Sequence, residues 1–272
     1  MLFILILIGA LGGFMAGLIG IGGGVIFGPA LFFVFQAAGI QDPVLTPLTV
    51  GSSLLCTFAA SVSGAVAQHR ARAIDVPTAL VAGGLAAVAV VTVGRLVTTQ
   101  PWYDNQAFQA LLGIVLVVVV VRMLTTRRSS DNNTLSTDGA QRGPLRLATI
   151  GVSAGSLATL AGVGGGVVLV PLFNALLKLP LKVAAGTSTA SIVLITGAGV
   201  ITYALLGLGA PVPDGALGYV GWKASLALAL PAIVTARMGV SAAHRLDVRI
   251  VRYVFAALAA FVAVRLLLNA FG

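Results

Sequence analysis

The chain has 272 residues, of which 58% are hydrophobic and 8% are charged, and its formal net charge is +9. Soluble domains carry about 25% charged residues, so this composition excludes an ordinary soluble protein and indicates a chain embedded in the lipid bilayer. Because the basic residues lie mostly between apolar segments, they are expected to set orientation and contact anionic lipids, and a nucleic-acid partner is not expected.

The first apolar segment, residues 2–36, is too long for one crossing of the membrane. Its length as a helix would be about 52 Å, whereas the hydrocarbon core is about 30 Å thick. Glycine reaches positive φ and costs about 1 kcal/mol within a helix, so the G-x-G-G-G motif favours a break. We therefore expect one arm to about Ile19, a turn at Gly20–Gly24 and a returning arm from Val25. The segment lacks a basic start and a cleavage site, which favours a structural element over a signal peptide.

Later segments of the chain are apolar over about 20 residues each, enough to cross a bilayer. They are residues 46–67, 76–99, 105–124, 184–207, 215–236 and 250–270. The single cysteine, Cys56, lies inside one of them and is expected to be a small core residue. Asp75, Asp214 and Asp247 precede apolar helices and are expected to cap them. Residues 125–146 are polar and are expected to form a solvated linker.

The chain contains an internal repeat. Residues 9–31 align without gaps with residues 151–173, with identical amino acids at 10 of 23 positions. The second copy of the motif predicts a second turn at Gly162–Gly166. Past a shorter loop, Gly51-Ser52-Ser53 aligns with Gly186-Thr187-Ser188. The chain is thus divided into a first repeat (1–124), the linker and a second repeat (147–272).

The distribution of basic residues decides between a hairpin and a single crossing at each glycine motif. Hairpins place Arg95, Lys223 and Arg265 on one side of the membrane and the other 13 of the 16 basic residues on the opposite side. Single crossings split the basic loop residues six to six, which gives no orientation, so the positive-inside rule favours hairpins. A hairpin plus three crossings is odd, so the second repeat is inverted. The aromatic residues expected at the outer interface are Trp102, Tyr103, Tyr203, Tyr219 and Trp222.

These patterns predict an all-α polytopic membrane protein with two inverted-topology repeats. Each repeat is a broken-helix hairpin plus three transmembrane helices, giving eight to ten membrane helices in total. Both termini are expected on the periplasmic side of the inner (plasma) membrane, and the linker on the cytoplasmic side.

Inverted repeats with broken helices are typical of transporters that bind substrate near the midplane. Each returning arm would direct unpaired amides and a positive helix end at the break, which suits a small oxyanion. Hydroxyl groups early in the next helix could donate further hydrogen bonds to the anion. The candidate substrate-binding residues are Gly20, Gly22, Gly23, Gly24, Val25, Ser52, Ser53, Gly162, Gly164, Gly165, Gly166, Val167, Thr187, Ser188 and Thr189.

Two alternatives stay open for these residues. The glycines could serve only close helix packing, as Gly9, Gly13 and Gly17 are expected to do. The hydroxyls could cap helices or bond between helices. No catalytic motif, metal ligand set or cofactor motif is recognised, so an enzyme is not expected.

The twin L-x-G-x-G-G-G-V-x-x-x-P elements, Leu18–Pro29 and Leu160–Pro171, together with Gly51-Ser52-Ser53 and Gly186-Thr187-Ser188, resemble the TauE/SafE sulfite exporter family of permeases (TSUP type). The likeness covers nearly the whole chain, although Ser52 stands where that family commonly has Thr. It implies secondary transport of small sulfur oxyanions such as sulfite or sulfoacetate-class organosulfonates, usually as export.

The leading hypothesis is therefore a secondary transporter of such anions. The alternatives are an anion channel, a transporter of another small organic anion such as a carboxylate, and a non-transport membrane scaffold acting through the 125–146 loop. A homodimer is a further possibility.

Overall fold

The computed structural model describes residues 2–41, 43–98, 103–125, 143–245 and 249–271, and over these ranges the chain is helical without any strand longer than an isolated bridge. The helices are α1 (Leu2–Ile19), α2 (Gly24–Ala37), α3 (Leu45–Arg70), α4 (Val76–Thr98), α5 (Asn105–Thr125), α6 (Pro144–Ala161), α7 (Gly166–Leu176), α8 (Leu181–Leu206), α9 (Trp222–Arg245) and α10 (Arg249–Phe271). The predicted all-α class is confirmed. Most of the predicted linker lies outside the described residues, and its last three residues begin α6.

Five of these helices are long and apolar enough to cross a membrane, namely α3, α4, α5, α8 and α9. Their outer faces carry large exposed apolar side chains, among them Leu80, Val88, Ile114 and Val121. A soluble protein rarely exposes such continuous apolar surface, so these faces are suited to lipid. The chain is a polytopic membrane protein.

The segment predicted as a crossing over 215–236 begins later than expected, because α9 starts at Trp222. Residues 207–221 instead form turns, with positive φ at Gly209, Gly215 and Gly218. Two prolines in this stretch also remove backbone donors that a helix needs. Asp214 therefore lies eight residues before α9, and the prediction that it caps that helix is wrong.

Each glycine motif reverses the chain, as the hairpin hypothesis requires. Ile4 and Leu5, near the start of α1, line one cavity of about 370 Å³ together with Val34 and Ala37, near the end of α2. Nearer the turn, the Phe27 ring packs on Gly12. The start of α1 therefore lies near the end of α2, so these two arms run antiparallel. The second motif does the same, because the Arg146 guanidinium at the start of α6 donates to the Leu176 carbonyl at the end of α7 at 3.3 Å.

The arms that return from the turns are short. Helix α2 has 14 residues and α7 has 11, so their lengths are about 21 and 17 Å. Neither reaches the about 30 Å of a hydrocarbon core. Each arm therefore fits a path from inside the membrane to one surface.

Helix directions can be read from pairs of contacting residues. Helices α3 and α8 run antiparallel, because Leu54 packs on Gly199 whereas Gly64 packs on Thr189. These two helices occupy the same place in the two repeats. Their opposite directions support the predicted inversion.

The other helix pairs agree with this. Helices α1 and α9 run parallel, as shown by the contacts of Gly9 with Leu228 and of Gly13 with Ala232. Helices α6 and α4 also run parallel, with contacts of Gly151 with Ala82 and of Gly155 with Ala86. Helices α3 and α9 do the same, with Cys56 bonded to Ser225 and Ser63 bonded to Ile233. The hairpin of each half thus packs on a helix of the other half, and the two halves interlock.

Two of the expected interfacial aromatics bond to the backbone of α6. Tyr203 is fully buried and its hydroxyl donates to the Thr159 carbonyl at 3.0 Å. The Tyr103 hydroxyl donates to the Leu160 carbonyl. Both bonds satisfy carbonyls near the end of α6, which that helix cannot pair itself. Tyr203 has no surface for lipid or headgroups, so the interfacial expectation is wrong for it. Tyr103 and Tyr219 are partly buried, Trp222 is exposed, and Trp102 lies outside the described residues.

Asp75 and Cys56 behave as expected. Asp75 accepts hydrogen bonds from the Thr78 amide and hydroxyl, at 3.5 and 3.0 Å, at the start of α4. Cys56 is buried in the core. Asp247 lies outside the described residues.

Candidate functional site

The two G-x-G-G-G motifs form turns with the same backbone conformation. In the first, φ is 76° at Gly20, 92° at Gly22 and 70° at Gly23. In the second, the glycines at 162, 164 and 165 have φ of 65°, 75° and 79°. Only glycine adopts such angles without steric cost. The predicted breaks are therefore confirmed at the predicted residues.

The two turns touch each other. A Cβ on Gly24 would lie 2.7 Å from the Cα atom of Val163, and a Cβ on Gly166 would lie 2.6 Å from the carbonyl carbon of Ile21. These contacts are equivalent under the repeat. The turns therefore meet backbone to backbone, which requires glycine at both positions.

Helices α2 and α7 begin at these turns with unpaired amides. The Gly23 carbonyl accepts from the amides of Ile26 and Phe27, at 2.9 and 3.1 Å, but the described residues offer no acceptor to the amides of Gly24 and Val25.

The second turn repeats this arrangement. The Gly165 carbonyl accepts from Val168 and Leu169, at 3.0 and 3.1 Å, and within the described part of the chain Gly166 and Val167 donate to nothing. Neither helix has a side-chain cap. Four backbone donors and two positive helix ends are thus gathered at one place.

The turns lie beside the middle of two membrane-crossing helices. Gly22 and Gly164 both face Thr57, which is the thirteenth residue of the 26-residue helix α3. Both also face Ile192, the twelfth residue of the 26-residue helix α8. If these helices cross the bilayer from end to end, the amides lie near its midplane.

Two of the candidate hydroxyls each bond to the glycine turn of the other repeat. The Ser53 hydroxyl donates to the Gly162 carbonyl at 2.8 Å, and the Ser188 hydroxyl donates to the Gly20 carbonyl at 2.9 Å. Ser53 and Ser188 are equivalent in the repeat, as are the two glycines. Each half therefore fixes the turn of the other half through the same bond, and these hydroxyls give their hydrogen to the backbone.

Two further candidates bond to the starts of crossing helices. The Ser52 hydroxyl accepts from the Gly221 amide at 2.8 Å, just before α9. Its equivalent, Thr187, accepts from the Asp75 amide at 3.0 Å, just before α4. The interhelical role that the sequence left open is thus present in both halves.

Thr189 is separated from the turns. Its hydroxyl donates to the Ala185 carbonyl at 2.9 Å within α8, and its methyl group packs near Gly64 of α3. The structure therefore brings together all the candidate glycines and valines with Ser53 and Ser188, but not Thr189.

Close packing also accounts for some glycines, as the alternative proposed. Gly9, Gly13 and Gly17 lie against the backbone of α9. Gly23 and Gly165 face the carbonyl oxygens of Gly12 and Ala154, at 2.9 and 2.7 Å from an added Cβ. Packing explains why side chains are excluded from the motif, but it leaves the four amides without acceptors.

Thr57 is the site residue that the sequence analysis missed. It is fully buried between the two turns, and its hydroxyl has no hydrogen-bond partner in the described structure. The signal was available, because Thr57 follows Ser53 by one helical turn and is the repeat equivalent of Ile192. Its importance depends on the tertiary contact with both turns, which spacing along the chain does not reveal.

Comparison of the chain with known protein families identifies the family to which it belongs. The profile of the "Sulfite exporter TauE/SafE" family matches residues 5–266, which is nearly the whole chain. The chain belongs to the TauE/SafE family. This confirms the resemblance carried by the twin glycine motifs.

Relatives of this TauE/SafE protein are named as probable membrane transporters. A probable membrane transporter protein of Methanocaldococcus jannaschii is 29% identical over 87% of this chain and 84% of its own. A probable membrane transporter protein of Haemophilus influenzae is 25% identical over 97% of both chains. The probable membrane transporter protein YunE of Bacillus subtilis is 23% identical over 90% of both. No solved structure matches the chain. The protein is a membrane transporter of the TauE/SafE family.

Proposed function

We propose that this transporter moves small sulfur-containing oxyanions, sulfite or organosulfonates of the sulfoacetate class, across the inner membrane by secondary transport. The four unpaired amides of Gly24, Val25, Gly166 and Val167 carry the proposal. Backbone amides at helix N-termini bind oxyanions in many unrelated proteins. Here two such ends meet beside the middle of two long apolar helices.

The anion binds beside the contact between the turns. Gly24 and Gly166 already touch the opposite backbone, which leaves no room for a ligand at that point. Gly22 and Gly164 face side chains of α3 and α8 instead. The anion accepts hydrogen bonds from the amides on the side of the turns that faces α3 and α8. Ser53 and Ser188 fix the positions of the two turns relative to these helices. In this role the two serines position the backbone.

Alternating access follows from the way the halves interlock. Each turn is bonded to a crossing helix of the opposite repeat, so a movement of α3 against α8 moves both turns relative to each other. In the orientation favoured by the basic residues, the termini are periplasmic and the 125–146 linker is cytoplasmic. Substrate is then exposed first to one side and then to the other, as in other inverted-repeat transporters.

A thermal-shift panel tests the substrate class. A ligand that binds the folded state raises its stability by mass action. Sulfite and sulfoacetate are expected to raise the Tm of the purified protein in a saturable way, whereas acetate and chloride at equal ionic strength are not. A saturable shift with acetate alone would instead support a carboxylate transporter. A shift with no oxyanion would contradict the proposal.

A further inference from the structure

An apolar cavity lies between the first hairpin and the last helix. Its volume is about 370 Å³, which falls within the range of about 300–1,000 Å³ that ligand pockets occupy. Its walls come from α1, α2 and α10, and every residue that lines it is apolar. At one end the lining residues Ile4 and Ala37 are exposed, whereas Val25 at the other end is buried beside the glycine turn. The cavity therefore opens at the outer end of the hairpin and closes near the turn.

The depth of the cavity is that of one lipid leaflet. Along α2 its lining extends from Val25 to Ala37, which is about 18 Å of helix. Half of a hydrocarbon core of about 30 Å is about 15 Å. An acyl chain in the adjacent leaflet covers the same depth.

The cavity faces the hydrocarbon of the bilayer. Leu7 on α1 and Val264 on α10, close to lining residues of the same helices, are large apolar side chains with more than half of their surface exposed. Water does not fill a cavity without polar partners, and an empty cavity loses dispersion contacts on all of its walls. An acyl chain restores these contacts, and lipid tails are as apolar as the leucine side chain. Hydrocarbon alone, however, gives no preference for one lipid over another.

A cation stands at the edge of the cavity. The guanidinium carbon of Arg265 on α10 lies 5.1 Å from the centroid of the Phe33 ring, and Phe33 lines the cavity. Phe33 and Arg265 lie about 6 and 9 Å before the ends of α2 and α10 at Ala37 and Phe271. The charge is therefore near the open end of the cavity and away from the turn.

Arg265 has the free donors that a phosphate group needs. Its side chain is exposed and makes no hydrogen bond or ion pair with any residue that the structure describes. Arginine keeps its charge at all physiological pH values, and a charge in a membrane helix is costly without an anionic partner. The ring of Phe33 covers one face of the guanidinium, which leaves the N–H groups at its edge for bidentate bonds to phosphate oxygens.

We infer that this cavity binds an anionic diacyl phospholipid, with one acyl chain between α1, α2 and α10 and the headgroup phosphate on Arg265. Basic residues between membrane helices are a common means of recognising such headgroups. The acyl chain packs against Val25, so the lipid supports the arm that carries two of the four unpaired amides. In the orientation proposed above, the lipid belongs to the periplasmic leaflet. This inference does not depend on which anion is transported.

Native mass spectrometry of the delipidated full-length protein tests the site. Phosphatidylglycerol, which is anionic, is compared with phosphatidylethanolamine of the same acyl chains, which is zwitterionic. Wild type is expected to bind one phosphatidylglycerol molecule in preference to phosphatidylethanolamine. Arg265→Gln is expected to weaken phosphatidylglycerol binding about tenfold and to abolish the preference. The control is Arg95→Gln, because Arg95 is also an exposed arginine in a crossing helix but does not line the cavity, and this variant is expected to bind as wild type does.

A second variant fills the cavity without changing the charge. Ala30 lines the cavity and is partly buried, so Ala30→Leu occupies space that the acyl chain needs. It is expected to bind both lipids more weakly than wild type and to have a higher Tm in the absence of lipid, because cavity-filling substitutions stabilise. A general loss of folding would lower that Tm instead.

Each outcome supports or overturns one part of the inference. Equal phosphatidylglycerol binding by wild type and Arg265→Gln would overturn the headgroup contact, and unchanged binding by Ala30→Leu would overturn the acyl-chain site. A preference for phosphatidylethanolamine would contradict the charge argument. A lipid-free dimer that Ala30→Leu disrupts would show that a second copy of the chain covers the cavity. Since no sulfur oxyanion is present in these measurements, failure here leaves the proposed function standing, and failure of the proposed function leaves the lipid site standing.

Discussion

Replacing Gly24 by alanine tests whether the two glycine turns touch. Gly24 has ordinary helical φ, so the substitution introduces no backbone strain of the left-handed kind. The new Cβ would lie 2.7 Å from the Cα atom of Val163 and 2.8 Å from the Gly162 carbonyl oxygen. Both are backbone atoms held by neighbouring helices, so they cannot move aside cheaply.

The magnitude follows from two opposing terms. Alanine in a helix gains up to about 1 kcal/mol over glycine, and overpacking costs about 1–3 kcal/mol. Because the clash is with backbone atoms, the upper part of the overpacking range applies, about 2–3 kcal/mol. The resulting net loss of about 1–2 kcal/mol corresponds to a fall in Tm of about 2–8 °C, on the scale known for domains of 150–250 residues. The matched control is Gly84→Ala in α4, where an added Cβ meets nothing within 4 Å and the helix gain stands alone.

The assay is thermal unfolding of the purified variants in detergent. Gly24→Ala and its repeat equivalent Gly166→Ala are expected to unfold at lower temperature than wild type, and Gly84→Ala at the same or a higher temperature. If Gly24→Ala and Gly84→Ala behave alike, the turns are not in contact and the geometry of the site is wrong.

Three further predictions follow from the bonds around the turns. Ser53→Ala and Ser188→Ala each leave a turn carbonyl without its donor, so each variant is expected to lose about 1–3 kcal/mol of stability in thermal unfolding. The control Ser153→Ala removes an exposed hydroxyl that bonds within its own helix, and it is expected to lose little stability. Equal stability of all three variants would contradict the bonds between the two repeats. Tyr203→Phe removes the donor to Thr159 and is expected to cost about 1 kcal/mol, measured as a fall in Tm, and an unchanged Tm would count against this bond. Cys56→Ser is expected to change stability by less than about 1 kcal/mol. The reason is that a serine, Ser191, occupies the equivalent position of the second repeat and donates to the Ala79 carbonyl, as Cys56 donates to the Ser225 carbonyl. Strong destabilisation would show that the two positions are not equivalent.

Local chemistry made part of the fold predictable. Three adjacent glycines in an apolar run favour a break, because each costs about 1 kcal/mol within a helix, so the bounds of α1 and α2 could be predicted from Gly20 to Gly24. The same reasoning failed for 215–236, because mean hydropathy does not distinguish an apolar loop with glycines and prolines from a helix. The start of α9 at Trp222 depends on the turns at Gly209, Gly215 and Gly218.

Contacts between the halves could not be predicted from either half alone. The sequence placed Ser53 early in its helix but gave no reason to pair it with Gly162, which lies 109 residues later. Tyr203 is likewise of a residue type that favours the membrane interface. Its hydroxyl reaches the Thr159 carbonyl only because α8 packs against the end of α6. The contact of Thr57 with both turns likewise depends on how α3 packs against the two hairpins.

Counterflow of labelled sulfite into proteoliposomes tests most directly whether the paired glycine turns form the transport site. Gly165→Ala is compared with Gly39→Ala, since φ is 79° at Gly165 and 80° at Gly39, but an added Cβ at Gly39 meets nothing within 4 Å. Both variants carry the same backbone strain, and only one alters the turn. In vesicles holding unlabelled sulfite, saturable uptake stimulated from the opposite side is expected for wild type and Gly39→Ala and is expected to be lost in correctly folded Gly165→Ala. Stimulated uptake that is equal in the two variants, or uptake by wild type without saturation or stimulation, would contradict the account.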